Sequence, residues 1–163
     1  MVIRDVERAY FESPIGKLEI LSIDDAIISI SFLKDEEVAA NMIRNPVLDR
    51  CIEELTEYFS SNRTEFHLPL LPDGTDFEKQ VWNKLLDIPY GETCSYIDIA
   101  NRMNNPGAVR AVGRANGANP IAIVIPCHRV VGADGSLTGY AGELWRKRWL
   151  LDHEARIAGK ILL

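Results

Sequence analysis

The chain has 163 residues, of which 47% are hydrophobic and 26% charged, a balance typical of a globular protein with one domain or two small ones. No stretch is long and apolar enough to span a membrane, and the N-terminus carries no signal-peptide pattern, so we expect no membrane association. The three cysteines are odd in number and widely spaced, which argues against a disulfide framework and predicts a reducing, cytoplasmic location.

The net charge of −6 is unevenly distributed along the chain. Residues 1–75 hold seven basic and fifteen acidic side chains, for a net charge of −8, whereas residues 76–163 have a net charge of +2. The stretch between Asp98 and Asp134 contains no acid, although Arg102, Arg110, Arg114 and Arg129 fall within it. This asymmetry indicates a modest positive surface that could meet phosphates, but a small basic face is commonly just solvated.

The first third of the chain predicts a small antiparallel sheet with one helix. Alternating residues at 10–12, 17–23 and 27–32 are typical of strands, and Ser13-Pro14-Ile15-Gly16 forms a turn between the first two. Val47, Cys51, Leu55 and Phe59 recur every four residues, which predicts an amphipathic helix over 47–60 with Cys51 on its buried face.

Residues 63–74 predict an extended linker, because Pro69, Pro72 and Gly74 interrupt both helical and strand patterns. We therefore expect two domains, an α/β domain with linker over 1–73 and a mainly α domain over 74–163.

The second half has the pattern of short helices. A helix from Phe77 ends near Ile88, and a further helix covers 144–156. Ser95 and Asp98 have capping-box spacing before a short apolar helix face, and residues 104–107 form a tight turn. The next helix, over 108–116, carries Arg110 and Arg114, which makes the pair a helix-turn-helix candidate. An ordinary corner between two helices fits the same pattern.

The most informative segment is Pro126-Cys127-His128-Arg129-Val130, which follows the apolar run 121–125. The run predicts a buried strand that Pro126 ends. A cysteine followed by a histidine and an arginine indicates a nucleophile whose thiolate form these neighbours favour, whereas a buried, inert core cysteine is the alternative. Neighbours on an extended chain point to opposite faces, so either a tight turn or a relaying water must connect Cys127 with His128, and a third group must orient the imidazole.

Taken together, these motifs resemble the O6-alkylguanine-DNA alkyltransferases, also called methylated-DNA–protein-cysteine methyltransferases. The resemblance runs from about Phe77 to Glu154, and the order and spacing of its short motifs are highly specific. They are Gly91…Ser95-Tyr96, Arg110-Ala111-Val112-Gly113, Asn119-Pro120, Pro126-Cys127-His128-Arg129-Val130, Gly139-Tyr140 and Leu150-Leu151-Asp152-His153-Glu154. A weaker similarity around Ser13 to Leu18 implies a ribonuclease-H-like N-terminal domain, and the C-terminal helix-turn-helix is then winged-helix-like.

The resemblance implies direct-reversal DNA repair, in which Cys127 takes the alkyl group from guanine O6 irreversibly and once per molecule. The proton of the thiol passes through a water to His128, which Glu154 holds. Tyr96 corresponds to the tyrosine that donates to a ring nitrogen, and Asn119 to an asparagine that ties the recognition helix to the active-site strand. The family's chemistry requires no cofactor, and because the chain has no Cys-x-x-Cys or His-x-x-x-His cluster we expect no metal.

The implied partner is double-stranded DNA containing O6-alkylguanine, bound by a monomer through a helix-turn-helix in the minor groove. Arg110 corresponds to the arginine that fills the gap left by the flipped base. The other expected DNA contacts are Ser95, Ala111, Gly113, Arg114, Gly117 and Arg129. The expected substrate-pocket residues are Val130, Tyr140 and Ala141, and the carbonyls of Cys127 and Val130 would accept from the exocyclic amine.

The chain departs from the family pattern in the segment after Tyr140. The family has Gly-Gly where this chain has Gly142-Glu143, and Ala141 offers only its backbone N–H to the substrate oxygen. A non-catalytic helix-turn-helix sensor of alkylated DNA is the alternative function. A cysteine hydrolase fits poorly, because no separate histidine is suited to pair directly with Cys127.

Overall fold

A computed structural model of the chain describes residues 5–34 and 45–160. The chain divides into two compact units, Met1–Asp73 and Gly74–Leu163, each with its own buried apolar residues. Residues 1–4, part of the N-terminus that shows no signal-peptide pattern, lie outside the described residues. Within the described ranges, no helix combines the length and apolar character needed to cross a bilayer.

The first unit contains a three-stranded antiparallel sheet, as predicted. Its strands β1 (Val6–Ser13), β2 (Gly16–Ile23) and β3 (Ala26–Phe32) lie side by side in chain order. The turn between β1 and β2 is held by a hydrogen bond of 2.6 Å from Ser13 Oγ to the carbonyl oxygen of Gly16. Gly16 has a φ of 123°, in the region that favours glycine, so this residue fixes where the hairpin reverses.

Helix α1 (Pro46–Phe59) packs on this sheet. Its N-terminus is capped by Asn45, whose side-chain oxygen accepts from the backbone N–H of Leu48 at 2.8 Å. Cys51 is fully buried, and burial, reinforced by the charge of Glu54, raises the pKa of its thiol to about 12. The predicted helix and the core position of Cys51 are confirmed.

The segment predicted as a linker is attached to the sheet rather than free. The N–H of Ile27 donates to the carbonyl of Pro69 at 2.9 Å, and the N–H of Leu71 donates to the carbonyl of Ile27 at 2.8 Å. These bonds form a parallel bridge between Ile27 and Leu70 beside β3. The prediction of an extended conformation is correct, but the segment belongs to the first unit rather than forming a free linker.

The second unit is mainly helical. It contains α2 (Asp76–Leu85), β4 (Cys94–Ser95), α3 (Tyr96–Arg102), α4 (Val109–Gly117), β5 (Val130–Val131) and α5 (Leu144–Ile157), with 3-10 turns at Pro106–Ala108 and Cys127–Arg129. Strands β4 and β5 form one short parallel pair, in which Cys94 lies opposite Val130.

Helices α3 and α4 form the predicted helix-turn-helix pair. Ser95 and Asp98 make the predicted capping box, with bonds of 3.2 and 2.9 Å between each side chain and the other residue's N–H. Helix α2 packs against α4, and Trp82 Nε1 donates to the carbonyl of Ala115 at 2.8 Å in the buried interface. This contact fixes the position of α4 against α2.

Candidate active site

The segment leading to Cys127 is turned, so the prediction of a buried strand over 121–125 is wrong. The Asn119 amide donates to the carbonyls of Ile121 and Ile125 at 3.3 and 2.8 Å, and accepts from the Ile121 N–H at 3.0 Å. Ile123 has a φ of 72°, and the N–H of Val124 donates to the carbonyl of Ala122 at 2.8 Å. Backbone groups of Ile121, Ala122, Val124 and Ile125 are thus satisfied within the segment or by Asn119 rather than by a neighbouring strand.

Cys127 lies at the start of a 3-10 turn and is 6% exposed. Burial raises the pKa of its thiol, while a hydrogen bond from Asn119 and the charge of Lys147 act in the opposite direction. A backbone hydrogen bond of His128 also favours the thiolate, as expected in part, but the cost of desolvating the charge outweighs it. The thiol is therefore neutral in this state of the protein.

His128, Glu154 and Arg129, two of which directly follow Cys127 in the chain, form a buried cluster. His128 Nε2 lies 2.7 Å from Glu154 Oε2, and both side chains are almost fully buried. Burial by itself would raise the pKa of Glu154, but His128 and Arg129 more than offset this and hold it well below its usual range. The carboxylate also accepts from the N–H of Gly91 at 3.3 Å. Glu154 is therefore an anion whose oxygens are aimed at the imidazole and the guanidinium.

The imidazole of His128 is neutral and has one ring nitrogen available. Burial lowers its pKa, and the neighbouring charge of Glu154 only partly opposes this. Nε2 faces Glu154, whereas Nδ1 is buried and has no hydrogen-bond partner in the described part of the chain. No direct hydrogen bond joins His128 to Cys127 among the described residues, which agrees with the expectation that a proton passes between them through an intermediary.

Arg129 does not lie on the DNA-facing surface where it was predicted. It is 7% exposed, and its Nε and Nη2 donate to Glu154 at 2.7 and 3.1 Å. Nη1 donates to the carbonyl of Ile88 at 2.7 Å, and the guanidinium lies over the Tyr90 ring. Because its donors are directed inward, Arg129 positions the Glu154 carboxylate and does not reach a phosphate.

Tyr96 and Lys147 meet at one carbonyl oxygen, that of Thr138. The Tyr96 hydroxyl donates to it at 3.2 Å and the Lys147 ammonium at 2.9 Å. Lys147 is fully buried, and burial lowers its pKa while the nearby thiol of Cys127 opposes that change. No carboxylate pairs with Lys147 within the described residues.

Lys147 was missed in the sequence analysis, although a signal was present. Lys147, Leu150 and Glu154 are spaced i, i+3 and i+7 on α5, which places the lysine on the face that carries the glutamate.

A cavity of about 580 Å³ opens between the helix-turn-helix and the segment before α5. It is lined by Tyr96, Val109, Gly113, Gly117, Thr138, Gly139, Tyr140 and Ala141. Burial, with a contribution from Cys127, raises the pKa of Tyr140 well above its usual value, so its phenol remains neutral. Tyr140 and Ala141 thus lie at the pocket as expected, whereas Val130 is fully buried in β5 and does not line this cavity.

The expected DNA-facing residues lie mostly on one side of α4. Arg110 and Arg114 are exposed, and Ala111 is half-buried. Gly113 and Gly117 line the cavity, and a Cβ at Gly113 would lie 3.9 Å from Tyr96. Ser95 is partly exposed, but its hydroxyl already accepts the N-terminal hydrogen bond of α3.

Asn116 is a second buried polar residue that the sequence analysis did not single out. It is 2% exposed, and its Nδ2 donates to the carbonyl of Cys127 at 3.3 Å. It therefore connects α4 directly to the turn that carries the thiol.

Known proteins resemble this chain in sequence and in overall fold. Residues 76–156 match the family described as 6-O-methylguanine DNA methyltransferase, DNA binding domain, and residues 6–72 match its ribonuclease-like domain. A methylated-DNA–protein-cysteine methyltransferase of Methanosarcina acetivorans is 45% identical over 150 residues, covering 90% of this chain and 96% of that protein. A protein of the same name from Mycobacterium tuberculosis is 46% identical over 146 residues, covering 88% of each chain.

Solved structures show the same fold. The crystal structure of the Mycobacterium tuberculosis O6-methylguanine methyltransferase has a TM-score of 0.83 at 43% identity, covering 93% of this chain and 94% of that one. A structure of the Mycobacterium tuberculosis protein in complex with DNA has a TM-score of 0.82, also at 43% identity and covering 93% of each chain. The predicted family resemblance and two-part fold are confirmed.

Proposed function

Because the chain belongs to the 6-O-methylguanine DNA methyltransferase family, whose members repair DNA by transferring an alkyl group to a cysteine, we propose that Cys127 is the acceptor. The chain is a direct-reversal repair enzyme, and the proposal concerns which of its residues perform each step and on which base. Its substrate is O6-alkylguanine in double-stranded DNA.

The observation that carries the proposal is the buried pair that Glu154 forms with His128, the residue next to Cys127 in the chain. Its 2.7 Å contact fixes Nε2 against the carboxylate and leaves Nδ1 as the nitrogen able to take a proton. A neutral, buried thiol needs such a base to react at neutral pH.

The alkyl transfer from the base to the thiol requires no further reactant. The proton of the Cys127 thiol passes through a water to His128 Nδ1, and Glu154 stabilises the resulting imidazolium. The sulfur electron pair forms the S–C bond, the C–O6 bond breaks, and its electron pair moves onto the purine. A hydrogen bond from the Tyr96 hydroxyl to a ring nitrogen stabilises that charge, and guanine finally takes up one proton. The product thioether cannot be hydrolysed, so each molecule acts once.

The damaged base reaches the sulfur only after it has rotated out of the duplex, at a cost of about a few kcal/mol. The cavity lined by Tyr96, Tyr140 and Ala141 has room for a purine ring. Gly113 and Gly117 allow the sugar–phosphate backbone to approach α4 closely, and Arg110 fills the gap in the stack.

Contacts from Arg114, Ser95 and Ala111 go to phosphate and sugar, so the protein binds with weak sequence preference and with an affinity that falls as salt rises. All three cysteines are free and buried, which supports a reducing location such as the cytoplasm.

Intact mass measurement tests the proposal. Incubation with a duplex containing O6-methylguanine should add one methyl group per chain, located on Cys127 by peptide mapping. Cys127→Ala should add none and still bind DNA, whereas Cys94→Ala, which changes another buried cysteine of the same unit, should be methylated normally. Binding without any mass change in the unaltered protein would instead identify a non-catalytic sensor of alkylated DNA.

A further inference from the structure

The side chain of Thr138 contacts the hydroxyl group of Tyr96, the proposed hydrogen-bond donor to the base. Thr138 Oγ1 lies 3.2 Å from the Tyr96 hydroxyl oxygen. The backbone carbonyl oxygen of the same threonine also lies 3.2 Å from that hydroxyl. Both residues line the cavity that has room for a purine ring. Thr138 therefore holds the Tyr96 hydroxyl at two points, one on its side chain and one on its main chain.

The direction of the two hydrogen bonds follows from the atoms that take part. A carbonyl oxygen can only accept, so Tyr96 directs its single hydroxyl proton at the Thr138 carbonyl. The phenol oxygen then has only lone pairs to offer, so the Thr138 hydroxyl is the donor in the second bond. Tyr96 thus donates to the backbone of Thr138 and accepts from its side chain.

The bond from Tyr96 to the carbonyl can be exchanged for a bond to the base. At 3.2 Å it is longer than the roughly 2.7–2.8 Å that is usual between two oxygens. The same carbonyl accepts from the buried Lys147 ammonium at 2.9 Å, so it keeps a hydrogen bond when Tyr96 turns away. A purine nitrogen that gains negative charge is a stronger acceptor than a neutral carbonyl.

The bond that Thr138 donates does not compete with the base. It ends on a lone pair of the phenol oxygen and leaves the phenol proton free for another acceptor. Hydrogen bonds in a chain polarise one another, so a donor to the phenol oxygen strengthens the bond that the phenol donates. This gain is largest when the purine carries most charge, which is in the transition state rather than in the resting protein.

We propose that Thr138 is a positioning residue of the alkyl transfer. Its hydroxyl donates to the phenol oxygen of Tyr96, directs the phenol proton at the leaving purine and strengthens that hydrogen bond. This inference rests on the proposed function, in which Tyr96 donates to a ring nitrogen of the base. Thr138 forms and breaks no covalent bond in this role, and its proton stays on Oγ1.

Thr138→Val tests the role, because valine has the shape of threonine without the hydroxyl and leaves the backbone carbonyl in place. Thr138→Ser, which keeps a hydroxyl, is the matched control, and the exposed position means that neither change disturbs a core. Single-turnover transfer from a duplex containing O6-methylguanine gives the maximal rate and the protein concentration at half of that rate. The valine variant should have a maximal rate about three- to tenfold lower at an unchanged half-saturating concentration, and serine should recover most of the loss.

The same substitution in a Tyr96→Phe background shows whether Thr138 acts through the phenol. Thr138→Val should slow the transfer no further once the Tyr96 hydroxyl is absent. An equal slowing in both backgrounds would overturn the inference, as would a serine variant as slow as the valine variant. A raised half-saturating concentration with an unchanged maximal rate would also overturn it, because Thr138 would then only support binding of the DNA.

Iodomethane provides a control reaction that has no purine leaving group. Its methylation of Cys127, located by peptide mapping, should be about as fast in Thr138→Val as in the unaltered protein. If the substitution slowed this reaction as much as the transfer from DNA, it would have altered the thiol or its surroundings, and the inference would fail. Absence of transfer from the duplex in the unaltered protein would instead refute the proposed function, and a Tyr96→Phe variant as fast as the unaltered protein would refute its assignment to Tyr96.

Discussion

The Lys147 ammonium donates a hydrogen bond of 2.9 Å to the carbonyl oxygen of Thr138, and the lysine is completely buried. The same carbonyl accepts from Tyr96, so one backbone oxygen joins a buried cation to the proposed hydrogen-bond donor of the reaction. Burial raises the pKa of the Cys127 thiol, and the positive charge of Lys147 acts against this rise. The Lys147 ammonium thus favours the thiolate form of Cys127.

Lys147→Met should move the pH–rate profile of methyl transfer to more alkaline pH. Removing the positive charge raises the pKa of Cys127 further, so a shift of about one pH unit gives a rate about tenfold lower at neutral pH. Single-turnover rates across pH check this, with Lys147→Arg as the control that keeps the charge. The other ionisable groups near the thiol, His128, Tyr140 and Glu154, are unchanged in both variants. A lower rate with an unshifted profile would mean that Lys147 only shapes the pocket.

Glu143→Gly should stabilise the protein. Glu143 has a φ of 77° and a ψ of 147°, a conformation that costs a residue with a side chain about 1–3 kcal/mol and that glycine adopts freely. The loss of the 2.7 Å bond from Trp145 Nε1 and the added freedom of glycine in the unfolded chain offset part of this gain. We expect a net increase of about 1 kcal/mol in the free energy of unfolding, measured by urea denaturation.

Glu143→Gln is the matched control because it removes the charge but keeps the strained backbone. If the carboxylate weakens DNA binding, both variants should bind more tightly at low salt. Only the glycine variant should be more stable, and equal stability in the two would argue against the backbone explanation.

Arg110→Ala should slow repair of duplex DNA far more than reaction with free O6-methylguanine base. The exposed Arg110 is expected to occupy the gap in the stack, so its removal affects only substrates that must be flipped. A slowing of about tenfold in duplex, with little change for the free base, is the expected result. Arg114→Ala serves as the comparison, since loss of a phosphate contact lowers affinity and reduces the salt dependence by about one charge. Equal slowing with duplex and free base would contradict the gap-filling role.

The Glu154 cluster predicts a loss of stability in acid. Because the folded protein holds the pKa of Glu154 below its unfolded value near 4.3, its contribution is present above that pH and is lost as pH falls further. Burial also lowers the pKa of His128 in the folded protein, so the free energy of unfolding falls further as the pH drops below about 6.5.

Glu154→Gln leaves Arg129 buried without its anion and should lower the free energy of unfolding at neutral pH by about 3–5 kcal/mol. Its stability should then depend less on pH between about 5 and 3 than that of the unaltered protein. Urea denaturation across this range measures both curves, and parallel curves would show that Glu154 is not the group responsible.

Periodic patterns in the sequence predicted the elements that have one buried face. The four-residue spacing of Val47, Cys51 and Leu55 predicted α1 to within a residue, and the capping box of Ser95 and Asp98 located the start of α3. The prediction of a strand over 121–125 was wrong because most of these residues are buried. Their apolar pattern therefore has no period that distinguishes a strand from a series of turns.

The residues by themselves indicated a nucleophile at Cys127 and a base at His128, whereas Glu154 was expected as the orienting acid only because the motifs resemble the alkyltransferase family. Only the folded chain decided how they are used. Arg129 turned inward because a buried carboxylate needs a cation, and the thiol stayed neutral because desolvation outweighs nearby positive charge. Asn116 and Lys147 joined the site through contacts with residues distant in the chain or on other elements, which local sequence patterns do not encode.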